Sequence, residues 1–271
     1  MPGIYKNEHK MKFAKKSLGQ YFLIDKNVIK KIINIVKIKN RHVIEVGPGK
    51  GALTDEILKS KPKSLSIIEK DYVLTEELRS KYKHKKNIKI YTADILKFDL
   101  EKIDRNDSII FGNLPYNISS QILVKILKFN KWPPKFKDII FMFQKELAEK
   151  ILGKFSTLNY GRLSILSNYR LRPDKKFLVS PNSFYPRPKV FSQVIHFTPK
   201  NSISFKIKNL NNLEKVTNIL FSNKRKMINK NIKKILDSKK IKKVGNLKLN
   251  LRPSEIAPNI YYKITEIYEK E

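Results

Sequence analysis

Two hydrophobic periodicities alternate along residues 40–151. Short apolar runs, typical of buried strands, alternate with segments in which apolar residues recur every three or four positions, as they do on one face of a helix. The predicted strands are HVIEV, SLSIIEK, IKIYTAD, SIIFGN and KDIIFMFQ, and the predicted helices are ALTDEILKS, YVLTEELRSKY, SSQILVKILKF and KELAEKIL. Such regular alternation predicts an α/β fold in which helices cover both faces of a parallel sheet.

The pattern changes on both sides of this region. Upstream, we expect a flexible basic arm at 1–16 and then an amphipathic helix with Asp25 as its N-cap. The apolar face of that helix consists of Val28, Ile29, Ile32, Ile33 and Val36. Downstream, the segments 160–171 (YGRLSILSNYRL) and 190–199 (VFSQVIHFTP) are predicted to be further strands, separated by the proline-rich VSPNSFYPRPKV.

The last part of the chain is rich in lysine and has helical periodicity, for example in LEKVTNILFSNKRKMINKNIKKIL. Residues 201–271 contain 17 basic and 6 acidic residues, a local balance of +11. This change in composition predicts a small second helical domain. The predicted division is therefore an arm at 1–16, a main domain at 17–199 and a basic helical domain at 200–271.

Basic residues far outnumber acidic residues in the whole chain. The 58 Lys and Arg residues against 24 Asp and Glu give a net charge of +34. A field of this sign attracts polyanions, and nucleic acid is the first candidate. Only nine of the basic residues are Arg, so the alternative is a biased genome whose lysines merely solvate the surface.

Composition also narrows the class of protein. Without any Cys the chain has no disulfides, thiolate metal sites or cysteine nucleophiles. A hydrophobic content of 41% is that of a globular protein, and no run reaches the roughly 18 apolar residues of a membrane span. The N-terminus lacks the apolar core of a secretory signal and is poor in Arg and Ser. We therefore expect a cytoplasmic protein without membrane or metal partners, and organelle targeting is not favoured.

A glycine-rich turn follows the first strand of the predicted sheet, in VIEVGPGKGALTDEIL. Gly47, Gly49 and Gly51 let the backbone take positive φ and pass close to a ligand. The turn also fits the G-x-G-x-x-A dinucleotide fingerprint, so it predicts a nucleotide-like cofactor, with a plain tight turn as the alternative. Glu69 ends the next strand and is either an acceptor for both ribose hydroxyls or a surface glutamate. Asp94 ends the third strand and is either an acceptor for an adenine amino group or a helix N-cap.

The glycine turn alone leaves both NAD and S-adenosylmethionine open. A dehydrogenase requires a proton-transfer residue such as His, Tyr or Lys in its cleft. The histidines at positions 9, 42, 84 and 196 lie in the arm, at a strand start, in a loop and late in a strand. These positions do not favour a dehydrogenase. The choice between NAD and S-adenosylmethionine therefore depends on the segment that follows the fourth strand.

The fourth strand ends at Gly112 and is followed by Asn113, Leu114, Pro115 and Tyr116. Turn chemistry alone accounts for Asn and Pro at a strand end. A second interpretation is that these residues bind an exocyclic aromatic amine during its methylation. The Asn113 side-chain oxygen and the Leu114 carbonyl would hold both amine hydrogens, which would aim the nitrogen lone pair at a sulfonium methyl. Pro115 fixes the loop, and Tyr116 offers a face on which the base that carries the amine would stack. That base must leave its nucleic-acid helix or be unpaired already.

The segment GNLPYNIS resembles the N-[LI]-P-Y motif of the S-adenosylmethionine-dependent rRNA adenine N6-methyltransferases. KKSLGQYFL resembles that family's N-terminal cofactor motif, IEVGPGKGALT its glycine loop, MFQKELAEKIL its fifth-strand segment and SFYPRPKVFSQVIHF its late motif. The resemblance covers most of the chain. It implies a Rossmann-like, S-adenosylmethionine-binding methyltransferase sheet at 17–199 and an RNA-binding helical domain at 200–271. Phe184 in the late motif is implied to cover the target base on the side opposite Tyr116.

The resemblance also implies which residues contact the cofactor. They are Tyr21, Leu23, Gly47, Gly49, Glu69, Asp94 and Asn113. Tyr21 departs from the pattern, because the family usually has Asn at this position. We expect Tyr21 to contact the cofactor by stacking or through its backbone instead.

Two branches of the family share these motifs. SLGQYFL and LFSNKRKMINKNI resemble the KsgA type, which dimethylates two adjacent adenines in the 3′-terminal hairpin of small-subunit (16S) rRNA. The alternatives are the Erm type, which acts on large-subunit rRNA, and a mainly non-catalytic ribosome-assembly factor. We expect a monomer whose partner is the small ribosomal subunit. The candidate RNA contacts are Arg187, Lys224, Arg225, Lys226 and Lys230.

Overall fold

The computed structural model describes residues 20–270, and the predicted arm at 1–16 lies outside them. The strands are β1 (Phe22–Leu23), β2 (His42–Val46), β3 (Ser64–Glu69), β4 (Ile88–Thr92), β5 (Ile109–Asn113), β6 (Asp138–Gln144), β7 (Leu171–Val179), β8 (Phe184–Tyr185) and β9 (Ser192–Pro199). The helices are α1 (Lys26–Ile33), α2 (Ala52–Lys59), α3 (Tyr72–Tyr82), α4 (Ser119–Leu127), α5 (Lys145–Ile151), α6 (Arg162–Arg170), α7 (Leu210–Leu220), α8 (Asn229–Ile232), α9 (Ser238–Lys243) and α10 (Pro258–Tyr268). None of these helices within residues 20–270 is long and apolar enough to cross a membrane.

The main sheet has seven strands in the order β4-β3-β2-β5-β6-β9-β7. The pairs β2–β3, β3–β4, β2–β5 and β5–β6 are parallel, whereas β9 runs antiparallel to β6. Ile109, Ile110 and Phe111 of β5 are fully buried, as expected for a central strand that is covered on both faces. The predicted α/β fold class is confirmed.

The strand order places a crevice beside β2. From β2 the chain moves outward through β3 and β4, and it then returns to β5 on the other side of β2. In open α/β sheets, ligands bind beyond the carboxyl ends of the strands at such a reversal. Val46 ends β2, Glu69 ends β3 and Asn113 ends β5. Because these strands are parallel, the segments that follow them meet at one edge of the sheet.

A buried polar cluster ties the opposite edge of the sheet together. Arg41, just before β2, places its Nη2 2.7 Å from Oδ2 of Asp138 at the start of β6. The other carboxylate oxygen of Asp138 lies 2.7 Å from Nε2 of His196 in β9. Burial opposes ionisation of Asp138, but the bonds from His196 and Arg41 hold the pKa of this carboxyl below its usual value. His196 therefore has a structural partner far from the carboxyl ends of the strands.

The prediction of a strand at 160–171 is wrong, because most of this segment forms helix α6. Ser164 and Ser167 are both buried in this helix. Because its buried face includes polar residues, the sequence does not show apolar residues at helical spacing. The strand in this region is β7, which begins where α6 ends and was not predicted. Most of the side chains of β7 are exposed, as suits its place at the edge of the sheet. The predicted strand at 190–199 is confirmed as β9.

Buried tyrosines organise the helical part of the chain. The Tyr160 hydroxyl donates to the Ile256 carbonyl at 2.8 Å, and the Tyr262 hydroxyl donates to the Ile165 carbonyl at 2.9 Å. The Tyr261 side chain is fully buried. Buried tyrosines need such partners for their hydroxyls, so these bonds fix helices α6 and α10 within one packed group.

Residue contacts divide the chain into two compact units. The first consists of the described residues up to 123, 134–145 and 173–198, and the second of 124–133, 146–172 and 199–270. Both units are discontinuous in sequence, whereas the sequence-based division has continuous domains at 17–199 and 200–271. That division stays a prediction.

Candidate active site

A cavity of about 750 Å³ lies at the carboxyl ends of β2, β3 and β5, within the first unit. Its volume is typical of a site for a small organic ligand or cofactor. Predicted site residues that line it are Tyr21, Leu23, Gly47, Gly49, Glu69, Asp94, Asn113, Leu114, Pro115 and Tyr116. The structure thus brings the predicted cofactor residues and the Asn-Leu-Pro-Tyr turn into one cavity, while their individual roles stay predictions.

The glycine turn has the backbone geometry that the sequence predicted. Gly47, Gly49 and Gly51 have φ values of +67, +58 and +83, a region that side chains disfavour. A Cβ atom on Gly49 would lie 2.8 Å from Cδ1 of Phe22. Only glycine therefore allows the turn and strand β1 to approach this closely while leaving the turn open to the cavity.

Glu69 is held by backbone amides at the end of β3. Its Oε1 accepts from the amides of Lys70 at 2.8 Å and Asp71 at 2.9 Å, and its Oε2 accepts from the amide of Gly49 at 3.3 Å. Burial raises the pKa of Glu69, and the amide bonds oppose this shift. An ionised carboxylate has about four acceptor positions, so Oε2 keeps capacity for a hydroxyl group of a ligand.

Asp94 lies two residues beyond the end of β4. Its Oδ1 accepts from the Leu96 amide at 2.9 Å, so it caps a tight turn and not a helix. Its Oδ2 lies 2.9 Å from Nζ of Lys70. The bond from the Lys70 ammonium lowers the pKa of Asp94, which keeps this side chain an acceptor at neutral pH.

Two contacts fix the Asn113–Tyr116 turn. Nδ2 of Asn113 donates to the Tyr21 carbonyl at 3.0 Å, so the amide oxygen is the Asn113 side-chain atom left to accept from a ligand. The Tyr116 hydroxyl lies 2.5 Å from Oγ of Ser192, which is fully buried. Burial raises the pKa of Tyr116, so its ring stays a neutral phenol suited to stacking.

The ring of Tyr21 also belongs to this site. It stacks on the Tyr116 ring with 5.0 Å between centroids and an interplanar angle of 29°. Sequence reasoning expected stacking by Tyr21 but did not identify Tyr116 as its partner, and it missed Ser192. A lone serine at a strand start carries no signal in a single sequence, and a stacking partner 95 positions away is set only by the fold.

The structure places Phe184 in the apolar core of the first unit, with 2% of its surface exposed. It pairs across the small β1–β8 sheet with Leu23. Its ring therefore has almost no free surface for a base, and its implied role in covering one stays a prediction. Arg187 follows β8 and is exposed.

The other predicted RNA contacts lie in the second unit, between α7 and the middle of α8. Lys224, Arg225, Lys226 and Lys230 are all exposed. Their positions suit contact with phosphate groups, and such contact stays a prediction. Among residues 20–270 there is no cluster of His, Asp and Glu that could hold a metal ion.

The residues of the cavity fit S-adenosylmethionine. Gly47 and Gly49 line the cavity without side chains, and Glu69 and Asp94 line it with two separate carboxylates that suit ribose hydroxyls and an adenine amino group. The neutral acceptors of the Asn113–Tyr116 turn lie at the same cavity, where a methyl group would be transferred. The acceptor groups and the volume of the cavity agree with this cofactor.

Comparison with known proteins identifies relatives over nearly the whole chain. The family described as "Ribosomal RNA adenine dimethylase" matches residues 11–270. The chain is 46% identical over 260 residues to "Ribosomal RNA small subunit methyltransferase A" of Pelagibacter ubique (strain HTCC1062), which covers 94% of this chain and 97% of that protein. It is 38% identical over 260 residues to the protein of the same name from Malacoplasma penetrans (strain HF-2), covering 93% and 91% of the two chains.

Two solved structures resemble this chain over most of its length. A dimethyladenosine transferase from Plasmodium falciparum has a TM-score of 0.73 and 26% identity, covering 90% of this chain and 95% of that chain. The 23S rRNA methyltransferase ErmE has a TM-score of 0.66 and 21% identity, covering 92% and 99%, and this likeness shows the fold alone. Since the family match spans residues 11–270, the chain belongs to the ribosomal RNA adenine dimethylase family.

Proposed function

We propose that this protein uses S-adenosylmethionine to dimethylate the N6 amino groups of two adjacent adenines in the 3′-terminal hairpin of small-subunit (16S) rRNA. The observation that carries the proposal is one cavity in which the glycine turn and Glu69 meet the Asn113–Tyr116 turn. The relatives named as small-subunit methyltransferases favour this substrate over large-subunit rRNA. The protein would act as a cytoplasmic monomer in small-subunit biogenesis.

The chemistry depends on how the turn holds an exocyclic amine. The bond from Asn113 Nδ2 to Tyr21 orients the amide so that its oxygen can accept one amine hydrogen, and the Leu114 carbonyl accepts the other. The amine nitrogen then becomes more tetrahedral, and its lone pair is freed from the aromatic ring. S-adenosylmethionine, when bound, supplies an electrophilic methyl group on its sulfonium. The contribution of the protein is position and electrostatics, without a strong general base.

Stacking on Tyr116 sets the plane of the target base. The Tyr116 ring is held through its hydroxyl by the buried Ser192, so the base meets a fixed surface. An adenine in a helix cannot reach this cavity, so it must be extruded or already unpaired. The exposed basic residues at 224–226 would bind phosphates and give affinity that falls with salt, while the cavity selects the base.

The test is methyl transfer from labelled S-adenosylmethionine to each purified, undermethylated ribosomal subunit, with the modified nucleoside identified. We expect dimethyladenosine in the small subunit only. Asn113→Ala should abolish transfer and leave subunit binding intact. Asn182→Ala, which changes an exposed asparagine of the same unit, is the matched control and should retain activity.

The alternatives have distinct outcomes in the same assay. Label confined to large-subunit rRNA would assign the protein to the Erm type. Subunit binding without label in either subunit would favour a mainly non-catalytic assembly factor. Activity in Asn113→Ala equal to that of the unchanged protein would refute the role of the turn.

A further inference from the structure

We propose that the Tyr21 ring occupies, in the free enzyme, the place where the target adenine stacks, so that the base must displace this ring to enter. The inference rests on the proposed function and concerns the side chain in which this protein departs from the usual Asn of its family. It makes Tyr21 a residue that controls entry of the base, in addition to its backbone contact with Asn113.

The position of the ring carries the argument. Tyr21 touches both residues that the chemistry requires for the base: its carbonyl accepts from Asn113 Nδ2 at 3.0 Å, and its ring stacks on Tyr116 at 5.0 Å. A base that offers its amine to Asn113 and its face to Tyr116 must lie against the same two groups. One face of Tyr116 is therefore already covered by an aromatic ring at stacking distance.

Of the two stacked rings, Tyr21 is the one that can move. Tyr116 is anchored by its hydroxyl on the buried Ser192 at 2.5 Å. The Tyr21 hydroxyl has no hydrogen-bond partner within the part of the chain that the structure describes, so stacking and apolar contact hold its ring. A change of side-chain rotamer would swing this ring away from Tyr116.

The Tyr21 backbone would stay in place during that swing. Its carbonyl is bonded to Asn113, and the next two residues, Phe22 and Leu23, pair with β8. Only the side chain has to rotate, so the orientation of the Asn113 amide is kept while the base enters. The ring can thus leave without disturbing the acceptor that the reaction uses.

The expected change in affinity for the base follows from the strengths of two stacks, Tyr21 on Tyr116 and adenine on Tyr116. A pair of aromatic side chains contributes a stabilisation that corresponds to roughly a 2- to 10-fold change in an equilibrium constant. A nucleobase on an aromatic side chain gains more, so an entering adenine can displace Tyr21. Base affinity in the unchanged protein should therefore be lower, by roughly 2- to 10-fold, than in a variant without the ring.

Fluorescence of 2-aminopurine riboside, which is quenched when the base stacks, measures entry directly. The titration uses the full chain saturated with S-adenosylhomocysteine, so that the nucleoside cannot bind at the cofactor position. Tyr21→Ala and Tyr21→Asn should bind the nucleoside roughly 2- to 10-fold more tightly than the unchanged protein. Tyr21→Phe keeps the ring and should match the unchanged protein. Thermal melts identify any variant that fails to fold, and Tyr21→Asn, with the residue usual in the family, is the second variant if Tyr21→Ala fails.

Two results would overturn the inference. Weaker binding in Tyr21→Ala and Tyr21→Asn would mean that the ring helps to hold the base, and unchanged binding would mean that it does not compete. The subunit methylation assay separates this failure from failure of the proposed function. Normal methyl transfer with unchanged nucleoside binding refutes only the entry role of Tyr21, whereas no transfer by the unchanged protein refutes the function.

Discussion

Glu45 is a fully buried carboxyl group in β2, two residues before the glycine turn. Its Oε2 accepts from Oγ1 of Thr54 at 2.7 Å, while its Oε1 has no hydrogen-bond partner within the described residues. Burial raises the pKa of Glu45 to about 8, from an ordinary value of 4.5. We therefore predict that Glu45 is largely a neutral acid at pH 7 and that its ionisation destabilises the fold.

The sign and size of the effect follow from this pKa. Between pH 4.5 and about 8 the folded chain keeps a proton on Glu45 that the unfolded chain has lost. Stability therefore falls as pH rises through this window, by about 1.4 kcal/mol for each pH unit. From pH 6 to pH 8 the loss attributable to Glu45 is roughly 2 kcal/mol, because the slope falls as pH approaches the folded-state pKa, and the loss levels off above it.

The assay is urea unfolding of the unchanged protein and of Glu45→Gln at pH 6, 7, 8 and 9. Glutamine has nearly the same shape and cannot ionise, so this variant should lack the loss of about 2 kcal/mol between pH 6 and 8. Glu146→Gln is the control, because Glu146 is 79% exposed and its lowered pKa places its titration below this range. Parallel stability curves for the unchanged protein and Glu45→Gln would refute the reasoning.

Four further predictions test the cavity, the sheet and the basic surface. Gly49→Ala places a Cβ 2.8 Å from an aromatic carbon of β1 at positive φ, so thermal and urea unfolding should show a loss of about 1–3 kcal/mol; an unchanged melt contradicts this. Glu69→Gln removes the charge that holds three amides, and calorimetry should show at least about tenfold weaker binding of S-adenosylhomocysteine, whereas equal affinity would exclude Glu69 from the cofactor site. Asp138→Ala leaves the buried His196 without its partner and removes one of the two carboxylates that Arg41 contacts, so the unfolding free energy should fall by about 1–3 kcal/mol, and an unchanged unfolding free energy would show that the cluster is not structural. Neutralising the basic residues at 224–226 should reduce the slope of log affinity against log salt by about 2 in RNA titrations, and an equal reduction after neutralising the lysines within 83–86 would show that the surface is not specific.

The position of the cavity could be predicted from the sequence because the glycine turn, Glu69 and the Asn113–Tyr116 turn each lie at the carboxyl end of a strand. Once strands and helices alternate, the carboxyl ends of parallel strands must share an edge, which brings Gly47, Glu69 and Asn113 together. The cap at Asp25 is equally local, since its side chain accepts from the amides of residues 27 and 28. Local periodicity and parallel topology were sufficient for these features.

Other features depend on contacts that no local pattern contains. Arg41 and Asp138 are 97 positions apart, and neither signals the other in a single sequence. Helix α6 was mistaken for a strand because tertiary packing buries the small polar residues Ser164 and Ser167, which periodicity treats as exposed. The aromatic stack at Tyr116 has the same origin, because the fold brings residue 21 to it.

In the proposed reaction, the groups that would hold the amine do not titrate near neutral pH, so the methyl-transfer step and the stability of the fold should depend differently on pH. Asn113 and the Leu114 carbonyl are neutral acceptors, and Tyr116 is a phenol whose pKa burial raises further. Positioning should then give a transfer step with little dependence on pH between 6 and 8. Ionisation of Glu45, which is buried in β2, acts instead through the stability of the fold. A decline in activity over this range should therefore follow the loss of folded protein and disappear in Glu45→Gln, whereas a decline that persists in that variant would require a titrating group at the reaction itself.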